Sequence, residues 1–167
     1  LQNFLIGKIH KILVSEASPE SKREVISQVI THFSTVISTA QRRVSADLAA
    51  GGLAYLGISH QDAITEIRPL GDETHHEGKI PLRIMFASGR SIVYKPRSMM
   101  PEKLICDPLE GVLRHEGFGT YRVTCRTDTS GEEYGYSEFI QNLQEENTVS
   151  TPEEVQEYVR KMCVLEA

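Results

Sequence analysis

The chain has 167 residues, 40% of them hydrophobic and 25% charged, with a formal net charge of −5; that suffices for one core of ordinary size and falls short of two separate domains. The acidic balance supplies no basic field for nucleic acid or an anionic membrane, although a local basic patch can still hold phosphate. No apolar run approaches the ~20 residues that span a bilayer and the Leu1–Phe4 start lacks a basic signal-type flank, so the sequence reads as cytoplasmic, with neither nucleic acid nor membrane as partner.

In chain order, Phe4, Leu5, Ile9, Ile12 and Leu13 recur at helical spacing and predict a short helix ending near Ser15. Ser18 then offers a cap, Pro19 suits a first helical position that needs no N–H, and Glu20 favours the positive end of the helix dipole. From Val25 through Ile26, Val29, Ile30, Phe33, Val36, Ile37 and Ala40 to Val44 an apolar stripe continues for about seven turns, which predicts one long helix. The Gly51-Gly52 pair ends or bends it. No Lys-Ser/Thr follows the pair, so a phosphate-cradling P-loop is not indicated. Leu53 to Gly57 can add a turn, and Ala63 to Leu70 leads on as an extended segment.

The run from Gly71 to Arg97, GDETHHEGKIPLRIMFASGRSIVYKPR, places acidic and imidazole groups at one end of an apparent hairpin and a Lys and an Arg at the other. Ile80, Leu82, Ile84 and Phe86 alternate with polar residues as in a half-buried strand, and Ser88-Gly89-Arg90 makes the turn. A second strand through Ile92 and Tyr94 ends at Lys95, because Pro96 removes a ladder donor. Met99 to Glu116 reads as helical with Leu104, Ile105, Leu109, Val112 and Leu113 as its apolar set, broken or restarted at Asp107-Pro108. Thr120–Thr127 and Tyr134–Gln141 read as strands around an Asp128-Thr129-Ser130-Gly131 turn. Thr151-Pro152-Glu153-Glu154 is a capping box that opens a last helix. The predicted fold class is α+β, with helices preceding an antiparallel sheet of about four strands.

Cys106, Cys125 and Cys163 form no CxxC pair, which points to buried reduced thiols and away from a disulfide framework or structural zinc. His75-His76 with Asp72, Glu73 and Glu77 suggests a metal cluster, but the ligand spacings of zinc enzymes are not met and no metal site is assigned. Lys95 at a strand end, with a carboxylate to position it and Arg97 beside it, is a device for holding phosphate; by itself, YKPR is more often a strand end with solvated charges. The chain starts without Met and is still in helical phase near its last residue, which predicts a piece of a longer protein.

The ordered set GDETHHEGK, SGRSIVYKPRS and GYSEFIQ resembles the dehydratase domain of class II lanthipeptide synthetases, the LanM family, which carries GDxHxxG, a strand, YKPR and a later aromatic-x-EFI segment. The similarity is clearest from about Gly71 to Ile140. It implies a fold like the small lobe of a lipid kinase: a helical region over residues 1–60, a sheet with an inserted helix over 61–150, and over 151–167 the start of a helix leading to a large lobe that this chain lacks. It further implies an enzyme that uses ATP and Mg2+ to phosphorylate Ser and Thr of a precursor peptide and then eliminates phosphate to leave dehydroamino acids. By that resemblance Lys95 is the nucleotide-phosphate lysine, His75 handles protons during elimination, and Arg97 orients phosphate. GDETHHEG is one residue longer between GD and HxxG than the family pattern, so Asp72, with Glu73 as the alternative, takes the motif carboxylate position. Similarity to kinase-like folds also leads Glu138, Phe139 and Ile140 toward the inter-lobe linker, where backbone groups hold adenine. The catalytic loop and magnesium ligands would come from the rest of the parent chain, and this part alone would not turn over. The zinc-dependent cyclase domain is outside it too, so no zinc is expected. A kinase without elimination, and a non-catalytic interaction module on the same fold, remain the alternative functions.

Overall fold

The computed structural model describes residues 2–70, 79–115, 122–140, 151–153 and 156. Its longest element is the helix α2, Pro19–Ala49, which follows the helix α1, Gln2–Leu13. Ser18 caps α2 in the expected way, its hydroxyl accepting from the Ser21 N–H at 3.2 Å while Pro19 occupies the first position. No Gly or Pro follows until Ala49, so the apolar stripe propagates without a kink. The Lys22 ammonium donates to the Leu13 carbonyl at 2.8 Å, closing the end of α1, and Phe4 packs on Phe33 with ring centroids 4.8 Å apart.

Gly51 stops α2 by taking φ 70°, a left-handed conformation that costs a side-chain-bearing residue strain. The next residue, Gly52, lets the chain pass close to the sheet: its carbonyl accepts from Arg126 Nη2 at 2.5 Å, and a Cβ there would stand 2.7 Å from that nitrogen. A short 3-10 turn, Ala54–Leu56, then leads to the sheet.

Five strands form one antiparallel sheet: β1 Ile64–Pro69, β2 Leu82–Phe86, β3 Ser91–Lys95, β4 Val123–Thr127 and β5 Glu133–Glu138. Their spatial order is β1-β2-β3-β5-β4. The helix α3, Met100–His115, connects β3 to the edge strand β4, and β5 then returns to lie beside β3. The α+β class stands, with five strands where the sequence predicts about four. The extra one is β1, whose Ile64 and Ile67 pack against the core while Thr65 and Arg68 stay exposed; a register shift between Ile64 and Glu66 interrupts its alternation, which disguises it in the sequence.

Register divides the sheet into two faces. Leu82, Tyr94, Tyr136 and Thr124 stand in one cross-strand row, and Arg83, Val93, Ser137 and Val123 stand in the adjacent row on the opposite face. The first face meets α2 and contains the core: Leu82, Ile84, Phe86, Ile92, Tyr94, Tyr134 and Tyr136, packed with Phe33, Ala40, Val44 and Leu48. A polar network crosses this interface. Arg43, 4% exposed, donates to Tyr94 OH at 2.9 Å, to Asp128 Oδ2 at 2.5 and 3.1 Å, and to Glu132 Oε2 at 2.6 Å. One turn along α2, Asp47 Oδ2 accepts from Tyr134 OH at 2.9 Å and Tyr136 OH at 2.7 Å. Hydrogen bonds from Ser130 first, then from Arg43, hold the Asp128 carboxyl far below its ordinary range. The same Asp128 organises the β4–β5 turn through its other oxygen, which accepts from the Ser130 and Glu132 N–H groups.

Two expectations for α3 are corrected. The helix runs through Pro108, which faces solvent and removes one backbone donor from the ladder. Its apolar residues Leu104 and Ile105 face outward, 68% and 63% exposed, and among the described residues α3 is tied to the rest by the fully buried Met99 just before it and by a 2.7 Å hydrogen bond from Tyr55 OH to Glu110. Cys106 and Cys125 are free thiols, half-buried, and burial pushes both above the ordinary thiol range; Cys163 lies outside the described residues. Pro152, Glu153 and Gln156 have helical geometry, as the capping pattern predicts. Among the described residues no helix is long and apolar enough to cross a membrane.

Candidate functional site

Strand alternation determines where Lys95 points. Tyr94 faces α2, where Arg43 holds its hydroxyl, so Lys95 emerges on the opposite face in a row with Gly135 of β5 and Cys125 of β4. Pro96 then ends β3, and three further residues reach Met99, which is fully buried. Gly135 makes that burial possible. A Cβ at this position would run into the Thr124 carbonyl and would stand 2.9 Å from Met99 Cβ. With no side chain in the way, Met99 lies flat on the sheet and fixes the first turn of α3 beside the end of β3.

That first turn carries Glu102. Its Oε1 lies 3.7 Å from Lys95 Nζ and also binds Arg97 Nη2, while its Oε2 accepts from Arg97 Nη1 at 3.1 Å. Arg97 Nη1 donates in addition to the Ser98 carbonyl at 2.9 Å. The hydrogen bonds from Arg97 chiefly, with a smaller contribution from Lys95, hold the Glu102 carboxyl below its ordinary range, and the position at a helix N-terminus favours the same charge. Glu102 in turn raises the Arg97 guanidinium. Lys95 and Glu102 retain 22% and 25% side-chain exposure, so the pair is open to a ligand from the sheet face.

The structure therefore brings Lys95 and Arg97 together, but around a carboxylate that the motifs do not reveal. The sequence carries a usable signal: Glu102 lies seven residues after Lys95, in the first turn of the helix that follows the lysine's strand. Asp72, Glu73 and His75 lie outside the described residues. Their flanks are placed, however: Pro69 pairs with Leu82, Leu82 pairs with Tyr94, and the Leu70 N–H donates to the Pro81 carbonyl at 2.9 Å. The chain leaves and rejoins the sheet at its Lys95 end.

Glu138, Phe139 and Ile140 belong to the other end. Gly135 pairs with Lys95 and Glu138 with Ile92, a separation of about 10 Å along the strand. The Glu138 carboxylate is taken by Arg122, accepting from its N–H at 3.1 Å and pairing with Nη1 at 3.8 Å. Phe139 lies under the Arg83 guanidinium, 3.8 Å from ring centroid to guanidinium carbon, and Ile140 is exposed. Among the described residues no three His, Cys, Asp or Glu side chains are grouped so as to hold a metal ion.

No curated protein and no solved structure matches the chain. The sequence family described as a domain of unknown function (DUF4135) matches residues 23–167, from within α2 through the whole sheet, and the chain belongs to that family.

Proposed function

We propose that the chain is the nucleotide-facing small lobe of a kinase-like enzyme of the lanthipeptide-synthetase type, acting in the cytoplasm. In this role Lys95 contacts the phosphates of ATP and Glu102 positions Lys95. The observation that carries the proposal is the ion pair between a lysine at the end of the third strand and a glutamate on the helix that follows, the arrangement in which kinases hold their phosphate-binding lysine. The ordered GDETHHEG, YKPR and EFI motifs supply the narrower identification as a LanM-like dehydratase.

The residues present fit a nucleotide. Lys95 is partly exposed and its carboxylate is shared with Arg97, so it can turn toward phosphate without leaving that carboxylate unpaired. Val93, two residues earlier, shares its face and offers apolar contact to a base, while residues 138–140 lie about 10 Å along the strand. Bound ATP supplies the phosphoryl group, with Mg2+ carried on its phosphates and completed by ligands from the rest of the parent chain. Lys95 neutralises oxygen charge both as phosphate is transferred to a Ser or Thr hydroxyl and as it later departs. Arg97 already gives two N–H groups to Glu102 and has others left for phosphate. During elimination a proton leaves Cα, the Cβ–O bond breaks, and phosphate departs. His75 is the proposed proton carrier and Asp72, or Glu73, the motif carboxylate.

The test is incubation of the parent protein with ATP, Mg2+ and candidate precursor peptides, followed by mass spectrometry. Loss of water from the peptide supports dehydration, and a stable gain of phosphate identifies a kinase without elimination. Absence of ATP binding, with biological activity unchanged by Lys95→Ala, would overturn both in favour of an interaction module.

A further inference from the structure

Arg83 has no carboxylate within ion-pair distance among the described residues, although its charge, after the hydrogen bond from Arg68, helps lower the Glu66 carboxyl. It sits half-buried in β2 on the sheet face opposite α2, donates from Nε and Nη2 to Ser91 Oγ at 3.2 and 3.1 Å, and stacks on Phe139. Glu66 is paired with Arg68 and Glu138 with Arg122. A guanidinium that has lost part of its water ordinarily keeps an anion close, because desolvation penalises an unpaired charge. Arg90, at the β2–β3 turn, also has no carboxylate within ion-pair distance among the described residues, and it packs against Gly57. Both arginines line one cleft of about 340 Å3, together with Leu56, Gly89, Ser91, Phe139, Ile140 and Glu138, whose carboxylate is paired with Arg122.

We propose that this cleft is an oxyanion-binding site, in which Arg83 and Arg90 hold a carboxylate or phosphate group attached to an apolar body. The ring of Phe139 holds the Arg83 guanidinium flat. Ser91 takes one edge of it and leaves Nη1 and a second Nη2 hydrogen without an internal acceptor among the described residues. Two parallel N–H groups of a planar guanidinium match two oxygens of a carboxylate or phosphate, which a lysine cannot reproduce. The exposed Ile140, beside the partly exposed Phe139, gives the apolar remainder a surface to cover. The site is separate from the phosphate-binding end, since Ser91 precedes Lys95 by four residues, about 13 Å of strand. The cleft shares Phe139 and Ile140 with the segment assigned to adenine, but Arg83 and Arg90 have no part in the nucleotide proposal and their anion binding does not depend on it. The oxyanion can come from a free small molecule or from an acidic side chain of a bound peptide.

The experiment is a titration of the 15N-labelled chain, following the arginine Nε–Hε resonances, with sodium malonate, inorganic phosphate and a short blocked peptide alternating Glu and Leu. Saturable shifts of the Arg83 and Arg90 signals are expected with at least one probe. Arg83→Gln and Arg90→Gln each weaken that binding about fivefold or more, and Lys95→Ala leaves it unchanged. Tighter saturation by the peptide, with shifts at the Leu56 and Ile140 backbone N–H signals, identifies a peptide side chain as the source; equal saturation by malonate and phosphate identifies a free oxyanion. Arg83→Lys keeps the charge and loses the fork, so it should weaken binding even if Arg83→Gln does not fold. Linear, unsaturable shifts, or binding that survives both arginine substitutions, overturn the proposal. Binding lost only with Lys95→Ala also overturns it and leaves the nucleotide reading intact.

Discussion

Lys95 Nζ stands 3.7 Å from Glu102 Oε1, joining the end of β3 to the first turn of α3, and the same carboxylate is bound more closely by Arg97. Neither member of the pair is deeply buried, so its contribution to folding is small and its consequence falls on ligand binding. Glu102→Gln keeps the shape and removes the charge that orients Lys95. The expected outcome is ATP-Mg binding weakened about fivefold, corresponding to about 1 kcal/mol, with at least as large a loss for Lys95→Ala and little change in thermal stability for either. Isothermal titration on the parent protein checks it; equal affinity in wild type and Glu102→Gln would remove Glu102 from the site.

The tyrosine row under α2 determines which face of the sheet Lys95 occupies, and it makes a second prediction. Tyr136 is fully buried and its hydroxyl donates to the Asp47 carboxylate at 2.7 Å. Removing it leaves that carboxylate, whose side chain is only 15% exposed, with one tyrosine donor fewer. Tyr136→Phe should therefore cost about 1.5 to 3 kcal/mol, the range for a hydrogen bond to a charged group. Chemical denaturation read by circular dichroism measures this, and an unchanged midpoint would mean that the bond contributes nothing net.

The same network sets a pH dependence at the alkaline side. Burial first, then the hydrogen bond to Asp47, pushes Tyr134 from its ordinary value of 10.0 up to about 12. A group whose folded pKa is raised contributes stability that is fully present below its unfolded value and is lost as pH rises through the folded one. Stability should therefore decline between pH 10 and about 12 as the unfolded chain ionises Tyr134 more readily than the folded chain does. Tyr134→Phe should flatten that decline. Denaturation midpoints across this window, compared between wild type and variant, decide it; parallel slopes would refute the assignment to Tyr134.

Much of the fold is legible in the sequence because local signals agree with tertiary packing. Ser18-Pro19, the Gly51 stop, the Ser88-Gly89-Arg90 turn and the Asp128 turn each state in a few residues what the chain does there. The strand β1 and the unbroken α3 are less legible, since a register shift hides the alternation of the first and Pro108 outwardly contradicts the second. The site divides in the same manner. Lys95 and Arg97 stand out because YKPR closes a clean strand, whereas Glu102 acquires its role only from the angle at which α3 leaves the sheet. Arg83 is hidden for a similar reason: its place in the cleft is a property of where β2, Ser91 and Phe139 meet.

Gly135 controls that departure angle and gives the last prediction. A methyl group at this position would meet the Thr124 carbonyl on one side and Met99 on the other, and the backbone oxygen cannot retreat without disturbing the β4–β5 ladder. Met99 is the element able to give way, yet it is fully buried and anchors the start of α3. Gly135→Ala should accordingly destabilise the fold by about 1 to 3 kcal/mol, as overpacking in a closed site does. Displacement of Met99 carries Glu102 with it, three residues along the same turn, so the Lys95 pair should loosen in the folded fraction as well. Thermal denaturation measures the first effect, and ATP-Mg affinity at a temperature where the variant is fully folded measures the second. A variant that is destabilised but binds nucleotide as wild type does would separate α3 placement from the function of Lys95, whereas loss of both, with Met99→Ala in the Gly135→Ala background restoring part of each, would tie the glycine to the site through Met99.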